Sequence, residues 1–194
     1  MFVGHLAVAL SAKKIEPRLP LAALTTATFG LDVLWPFFLM TGLETVRIDP
    51  GNTAFTPLDF VSYPYSHSLV ALCLWGALLG SACWLSGLGG RASLLVAGLV
   101  VSHWLLDFIS HRPDMPVYPG SALLGLGLWN SVPATLLVEL LLFGAGVWLY
   151  ASSTRPRDSI GRWSFAGLVG FLLIVYVGNI AGGPPPSVTA SSSQ

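Results

Sequence analysis

The stretch from Ala92 to His111, ASLLVAGLVVSHWLLDFISH, decides how the rest of the chain is interpreted. It is long and apolar enough to cross a bilayer, since a membrane-spanning helix needs about 20 mostly apolar residues. His103, Asp107 and His111 interrupt it at i, i+4 spacing, which puts side chains on one face of a helix. Ionisable groups on such a helix are costly and mark a functional site by default.

The composition is that of a membrane protein. Of the 194 residues, 54% are hydrophobic and only 9% are charged, whereas soluble domains carry about 25% charged residues. We therefore predict an all-α, polytopic integral membrane bundle of five to six apolar helices. The net charge is zero, so no overall field attracts nucleic acid. The expected partner is membrane lipid, and no nucleic-acid binding is expected.

Six apolar segments are predicted, at about residues 2–12, 20–41, 66–87, 92–111, 128–151 and 161–181. The first is too short to span a bilayer comfortably. It either spans with help from its flanks or lies partly buried against the bundle. Residues 1–181 are predicted to form a single transmembrane domain. Residues 182–194, with three consecutive prolines followed by Ser and Thr, are predicted to be a disordered tail.

Positive charges predict the orientation of the bundle, because cytoplasmic loops are enriched in Lys and Arg. Arg47 and Arg112 lie on one side of the predicted bundle, and seven positive residues lie on the other: Lys13, Lys14, Arg18, Arg91, Arg155, Arg157 and Arg162. The sequence therefore predicts a multi-pass membrane protein with a defined orientation. Both termini and the long connection at residues 41–65 would lie outside the cytoplasm.

Five histidines and aspartates from four separate segments then fall at a similar depth, in the extracytoplasmic half: His5, Asp32, His67, His103 and Asp107. Imidazole and carboxylate are the ligands of zinc, and catalytic zinc sites keep a position for water. We predict that these residues bind a divalent metal ion, with zinc the first expectation, as one ion with supporting residues or as two ions. The alternative is that they hydrogen-bond between helices and only hold the bundle together.

Four further polar residues have predicted roles, and two of these residues have more than one. His111 is a third ligand from its helix, a proton shuttle, or a histidine favoured by the helix C-terminus. Glu139, nearer the midplane, is a protonated structural acid, a general base or a metal ligand. Ser66 is predicted to cap the helix that follows it. Asp114 is expected to form a loop ion pair with Arg112.

The order of these motifs resembles one bacterial family. An early His5, Gly-Leu-Asp32, Tyr-Ser-His67-Ser-Leu and Ser-His103-x-x-x-Asp107 followed by a Pro/Gly loop are similar to the membrane-bound metal-dependent hydrolases. These are also described as LexA-binding, inner-membrane-associated hydrolases. The resemblance covers about residues 1–150 and implies that the five His and Asp residues form the metal site. The ligand pattern is also faintly similar to zinc phospholipase C and related nucleases, although this chain has fewer histidines.

The function predicted from these observations is hydrolysis by metal-activated water, which a metal makes nucleophilic near neutral pH. Asp107 or Glu139 would accept the proton, with His111 as a shuttle. A site at the membrane boundary favours a lipid-like or small-molecule ester or phosphoester. One alternative is a transporter with an intramembrane His/Asp path for ions or protons, although no inverted repeat is evident. Another is a haem-binding bundle with histidine axial ligands.

Overall fold

The computed structural model describes residues 1–182 and is mostly helical. Its helices are α1 (Val3–Ile15), α2 (Leu21–Met40), α3 (Pro64–His67), α4 (Leu69–Leu85), α5 (Gly90–Ser110), α6 (Val132–Ser153) and α7 (Ser159–Ala181). Two small antiparallel hairpins complete the described chain: β1 (Thr45–Ile48) with β2 (Leu58–Ser62), and β3 (Met115–Pro116) with β4 (Leu123–Leu124). The predicted all-α membrane bundle is confirmed. Apart from Gly182, the predicted disordered tail lies outside the described residues.

Four helices, α2, α5, α6 and α7, are long and apolar enough to cross a membrane. Their outer faces are apolar, and so is that of the 17-residue α4. Phe37, Leu85, Trp148 and Ile174 are 60%, 85%, 65% and 73% exposed, respectively. Soluble proteins rarely expose large contiguous apolar patches, so these faces are suited to lipid.

The first helix lies at the centre of the bundle. With 13 residues, α1 is about 20 Å long, which is short of the ~30 Å hydrocarbon core. It packs against α2, α5 and α6, and most of its side chains are buried. Of the two predictions for the first segment, burial against the bundle is therefore the one that the packing supports. This central position brings His5, near the start of α1, into the interior.

Glycines allow the closest helix contacts. A Cβ at Gly146 of α6 would lie 2.6 Å from the carbonyl oxygen of Ala7 in α1, and one at Gly76 of α4 would lie 2.9 Å from that of Ala97 in α5. Small residues let helix backbones approach in this way in membranes, where van der Waals packing drives association. The contact between α1 and α6 thereby holds α1 in place.

Gly146→Ala is expected to destabilise the bundle by about 1–3 kcal/mol, the usual cost of overpacking. Gly144→Ala is the matched control, because a Cβ at Gly144 meets nothing within 4 Å. Thermal unfolding of both variants in the same detergent is the measurement. Equal melting temperatures for the two variants would show that α1 and α6 are not packed this closely.

The predicted third segment is divided at Ser68. This residue is extended (φ −76°, ψ 146°), so α3 ends there and α4 begins. Its Oγ accepts a hydrogen bond from Ala71 N at 3.2 Å and donates one to Pro64 O at 2.6 Å. The prediction that Ser66 caps this helix is therefore wrong, because Ser68 is the cap. Ser66 is free to make the contacts described below.

Two of the positively charged connections meet at one end of the bundle. Arg18, between α1 and α2, donates to Leu88 O at 3.2 Å, and Arg91, at the start of α5, donates to Ile15 O at 3.0 Å. The β1–β2 hairpin follows the opposite end of α2. Arg18 and Arg91 thus lie at the end of the bundle away from that hairpin. Which end of the bundle faces the cytoplasm stays a prediction.

Candidate metal centre

His103 directs its Nε2 at two carboxylates. Its Nδ1 lies 2.8 Å from the carbonyl oxygen of Thr28, and because a carbonyl only accepts, Nδ1 carries a proton. In the neutral ring, the other nitrogen, Nε2, carries the lone pair. It lies 3.1 Å from Asp107 Oδ2 and 3.6 Å from Asp32 Oδ1, yet makes no hydrogen bond.

His67 is held in the same way by a different chain of contacts. Ser66 Oγ lies 2.6 Å from Glu44 Oε2 and 2.6 Å from His67 Nδ1. An ionised carboxylate only accepts, so Ser66 donates to Glu44 and accepts from His67 Nδ1. In the neutral ring, Nε2 then carries the lone pair; this nitrogen lies 3.2 Å from Asp32 Oδ1 and 3.8 Å from Asp107 Oδ2.

The Nε2 atoms of His67 and His103 and two carboxylates thus face one another in the interior, and in the neutral rings both nitrogens are acceptors. His67, His103 and Asp107 are almost fully buried, and the Asp32 side chain is 26% exposed. Acceptors placed together in this way repel unless a cation or protons lie between them. A divalent cation is the group that this donor set fits, because neutral imidazole and carboxylate are its ligands.

His5 completes the arrangement. Its Nε2 lies 3.0 Å from Asp107 Oδ1 and 4.0 Å from Asp32 Oδ2, and its ring stacks on that of His103 with centroids 4.0 Å apart. The amino group of Met1 also contacts Asp107 Oδ1 and lies 3.3 Å from His5 Nε2. The Asp107 carboxylate therefore joins the side of the site formed by α1 to the side formed by α3 and α5.

The donors form two overlapping groups that could hold a metal ion. One group is His5, His103 and Asp107, and the other is Asp32, His67 and His103, each with ligand atoms within 4.8 Å of one another. Ligands of one tetrahedral zinc are about 3.3 Å apart for bonds of 2.0–2.1 Å, so small side-chain movements bring either group into range. The five residues predicted from sequence lie together, and His103 is common to both groups.

Pro36 modifies the helix next to the site. It lies inside α2, one turn after Asp32, and proline has no N–H to donate to the carbonyl four residues earlier. The backbone carbonyl of Asp32 therefore loses its helical hydrogen bond. This leaves an additional polar atom on the same residue that supplies a carboxylate to the centre.

His111 belongs to an adjacent cluster rather than to the metal groups. Its Nδ1 lies 2.9 Å from Asp114 Oδ1, which also accepts from the Tyr63 hydroxyl at 2.9 Å, and its ring packs on Trp129 with centroids 4.2 Å apart. Burial lowers the pKa of His111, although Asp114 opposes this effect. The expected ion pair between Asp114 and Arg112 is loose, at 3.5 Å, and the main role of Asp114 is to hold His111 and Tyr63.

Glu139 is a residue of α6, and its fully buried side chain lies against the beginning of α1. Its Oε2 accepts hydrogen bonds from Phe2 N at 3.0 Å and Gly4 N at 3.3 Å, while Oε1 has no partner. The first N–H groups of a helix lack partners within the helix, so Glu139 satisfies two of them for α1. These contacts are those expected of an acid with a structural role. The predicted roles of Glu139 as a general base or a metal ligand stay predictions.

The contacts that Glu44 and Asp114 make at the candidate site were not predicted from the sequence. Both lie in connections, where carboxylates are usually solvated, and both are buried here, at 3% and 5% exposure. Ser66, directly before His67, was a usable signal, since a hydroxyl next to a candidate ligand can hydrogen-bond to it. No signal in the sequence pairs Ser66 with Glu44.

Comparisons with known proteins give no relatives: no protein-family model, no curated protein and no solved structure matches the chain. The resemblance to membrane-bound metal-dependent hydrolases therefore stays a prediction. The functional argument rests on the geometry of the site.

Ser66→Ala is expected to weaken zinc binding by ~10–100-fold, because residues that orient metal-binding histidines contribute at this scale. The variant removes the oxygen that lies 2.6 Å from His67 Nδ1 and so frees the ring to change tautomer. Zinc competition with a chelator is the measurement. Ser62→Ala in β2 is the control, and equal affinities for both variants would contradict the orienting role.

Proposed function

We propose that the protein is a membrane-embedded, metal-dependent hydrolase of ester or phosphoester substrates, with zinc as the expected ion. The observation that carries this proposal is the pair of imidazole nitrogens, His67 Nε2 and His103 Nε2, directed at the carboxylates of Asp32 and Asp107. His5 would complete the ligand set. Such an ion supplies Lewis acidity at the reacting oxygen and lowers the pKa of water.

The cluster next to the metal groups is suited to proton transfer. Asp114 holds the Nδ1 proton of His111, which leaves Nε2 as an acceptor, and the lowered pKa keeps the ring neutral near pH 7. His111 lines the same cavity as Asp32, His67 and Asp107. In hydrolysis, the oxygen of water joins the acyl or phosphoryl centre, the ester bond breaks, and a proton goes to the leaving oxygen. His111 is the proposed carrier of that proton, and Asp107 is the alternative acceptor.

Turnover by the purified full-length protein tests the proposal. The zinc-loaded protein in nanodiscs is expected to hydrolyse an ester or phosphoester of the supplied lipid, and a chelator should stop the reaction. His103→Ala is the inactive control. Zinc binding without any ester turnover, together with ion or proton flux in liposomes, would support a transporter instead.

The proposed location is a bacterial inner membrane, with the metal centre in the extracytoplasmic half. A reporter fused after residue 181 is expected to behave as exported, because seven of the nine Lys and Arg residues lie at the other end of the bundle and positive loops stay in the cytoplasm. A fusion at residue 88, between α4 and α5, is the matched cytoplasmic control. The reverse pattern of activities would invert the orientation.

A further inference from the structure

An open cavity of ≈ 570 Å³ lies over the metal centre. Asp32, His67, Asp107 and His111 line it at the centre, and residues 50–58 of the β1–β2 connection line it on another side. Most of the remaining wall is aromatic: Phe2, Phe29, Trp35, Phe55, Phe60 and Trp129. The cavity therefore combines a metal-binding polar region with an extended apolar surface, as expected for a pocket that binds an organic ligand.

No cationic side chain is available to a ligand in this cavity. No Lys or Arg lines it in the described part of the chain, and residues 183–194 contain none. Seven of the nine cationic residues belong to the opposite end of the bundle. The other two, Arg47 and Arg112, are both paired with Asp59, and Arg112 also lies near Asp114.

The charge of the cavity restricts the reacting group of a substrate. Proteins bind the dianion of a phosphomonoester with Arg or Lys side chains, often through paired hydrogen bonds. Here Asp32 and Asp107 add negative charge. The amino group of Met1, which also lines the cavity, is paired with Asp107, so a bound metal ion would be the remaining positive partner. A neutral carboxylic ester or a singly charged phosphodiester needs no further cation.

The cavity also reaches the lipid-facing surface between two helices. Phe29 and Trp35 of α2 line it on one side, and Asn179 and Ile180 of α7 line it on the other. Beside this wall, Val33 of α2 is 56% exposed. Only Tyr176 of α7 is fully buried, so α7 packs loosely against the bundle. A hydrocarbon chain can therefore lie between α2 and α7 while its polar group reaches the centre.

From these observations we infer, on the basis of the proposed hydrolase function, that the substrate is a membrane lipid whose headgroup carries at most one negative charge. Its tail lies between α2 and α7, and its ester lies at the His/Asp centre. Phosphomonoester lipids are excluded by charge, and soluble esters lack the apolar contact.

The test compares lipids that differ only in the headgroup. Native mass spectrometry of the zinc-loaded full-length protein would measure binding of phosphatidylglycerol and phosphatidic acid with identical acyl chains. Wild type is expected to favour phosphatidylglycerol by ~10-fold or more, the effect of about 1.4 kcal/mol. Ala54, exposed on the cavity wall, is the site for a charge change. Ala54→Lys should remove the preference, and Ala54→Gln should retain it.

The outcomes separate this inference from the proposed function. Equal binding of the two lipids, or a preference for phosphatidic acid, overturns the inference even if the protein hydrolyses esters. An Ala54→Lys variant that keeps the wild-type preference also overturns it, because the selection would then arise outside the cavity. The expected lipid preference without turnover would instead leave the binding inference in place and reject the hydrolase.

Discussion

His103→Ala is expected to lower the zinc affinity of the purified protein by at least ~100-fold, beyond the 10–100-fold range of residues that only orient ligands. His103 belongs to both groups of donors that could hold a metal, so its loss damages either site. His5→Ala and His67→Ala each affect one group and should cost less. Chelator competition on the full-length protein in detergent measures all three affinities.

Ser102→Ala is the matched control for this series. Ser102 precedes His103 on α5, and its Oγ donates only to the Leu99 carbonyl within the same helix, at 2.6 Å. Its removal is expected to leave zinc binding unchanged. If wild type binds zinc and His103→Ala binds it equally well, the ion does not lie between the two donor groups, and the proposed centre is wrong.

The helices and the depth of the polar residues were predictable because both depend on local sequence. A run of apolar residues of bilayer length specifies a helix, and the distance of a residue from the helix end then sets its depth. His5, His67 and Asp107 lie near the ends of their helices that share one side of the bundle, and Asp32 lies in the half of α2 nearer that side. Because these four residues lie at one depth, their side chains come together once the helices pack into a bundle.

The supporting contacts were not predictable because they depend on how the connections fold. Glu44 reaches Ser66 only because the β1–β2 hairpin reverses the chain, with Arg47 opposite Asp59 in its register. Nothing local in residues 41–65 indicates that this loop folds back onto the bundle. Likewise, the sequence left two positions for the first segment. Packing decides between a spanning and a buried first segment, because Gly146 lets the backbones of α1 and α6 approach closely.

Glu139 is the residue for which the sequence left the most roles open. Its depth in an apolar helix allowed a structural acid, a general base or a metal ligand. The structure shows Oε2 accepting from Phe2 N and Gly4 N at the start of α1. Because α1 also carries His5, an acid that fixes the beginning of α1 positions a ligand of the proposed centre without touching the ion.

Glu139→Leu is expected to destabilise the protein by about 2–6 kcal/mol, because the N–H groups of Phe2 and Gly4 would lose their acceptor, at about 1–3 kcal/mol each. Glu139→Gln should be nearly silent, since its amide oxygen can accept both hydrogen bonds and its NH2 group replaces the unpartnered Oε1. Thermal unfolding with and without zinc measures both variants. The zinc-dependent shift of Glu139→Gln should equal that of wild type, whereas a smaller shift would make Glu139 a ligand. If Glu139→Gln keeps the wild-type zinc-dependent shift in melting temperature but loses ~10²–10⁴-fold of turnover, the usual contribution of a general base, Glu139 would be a catalytic base.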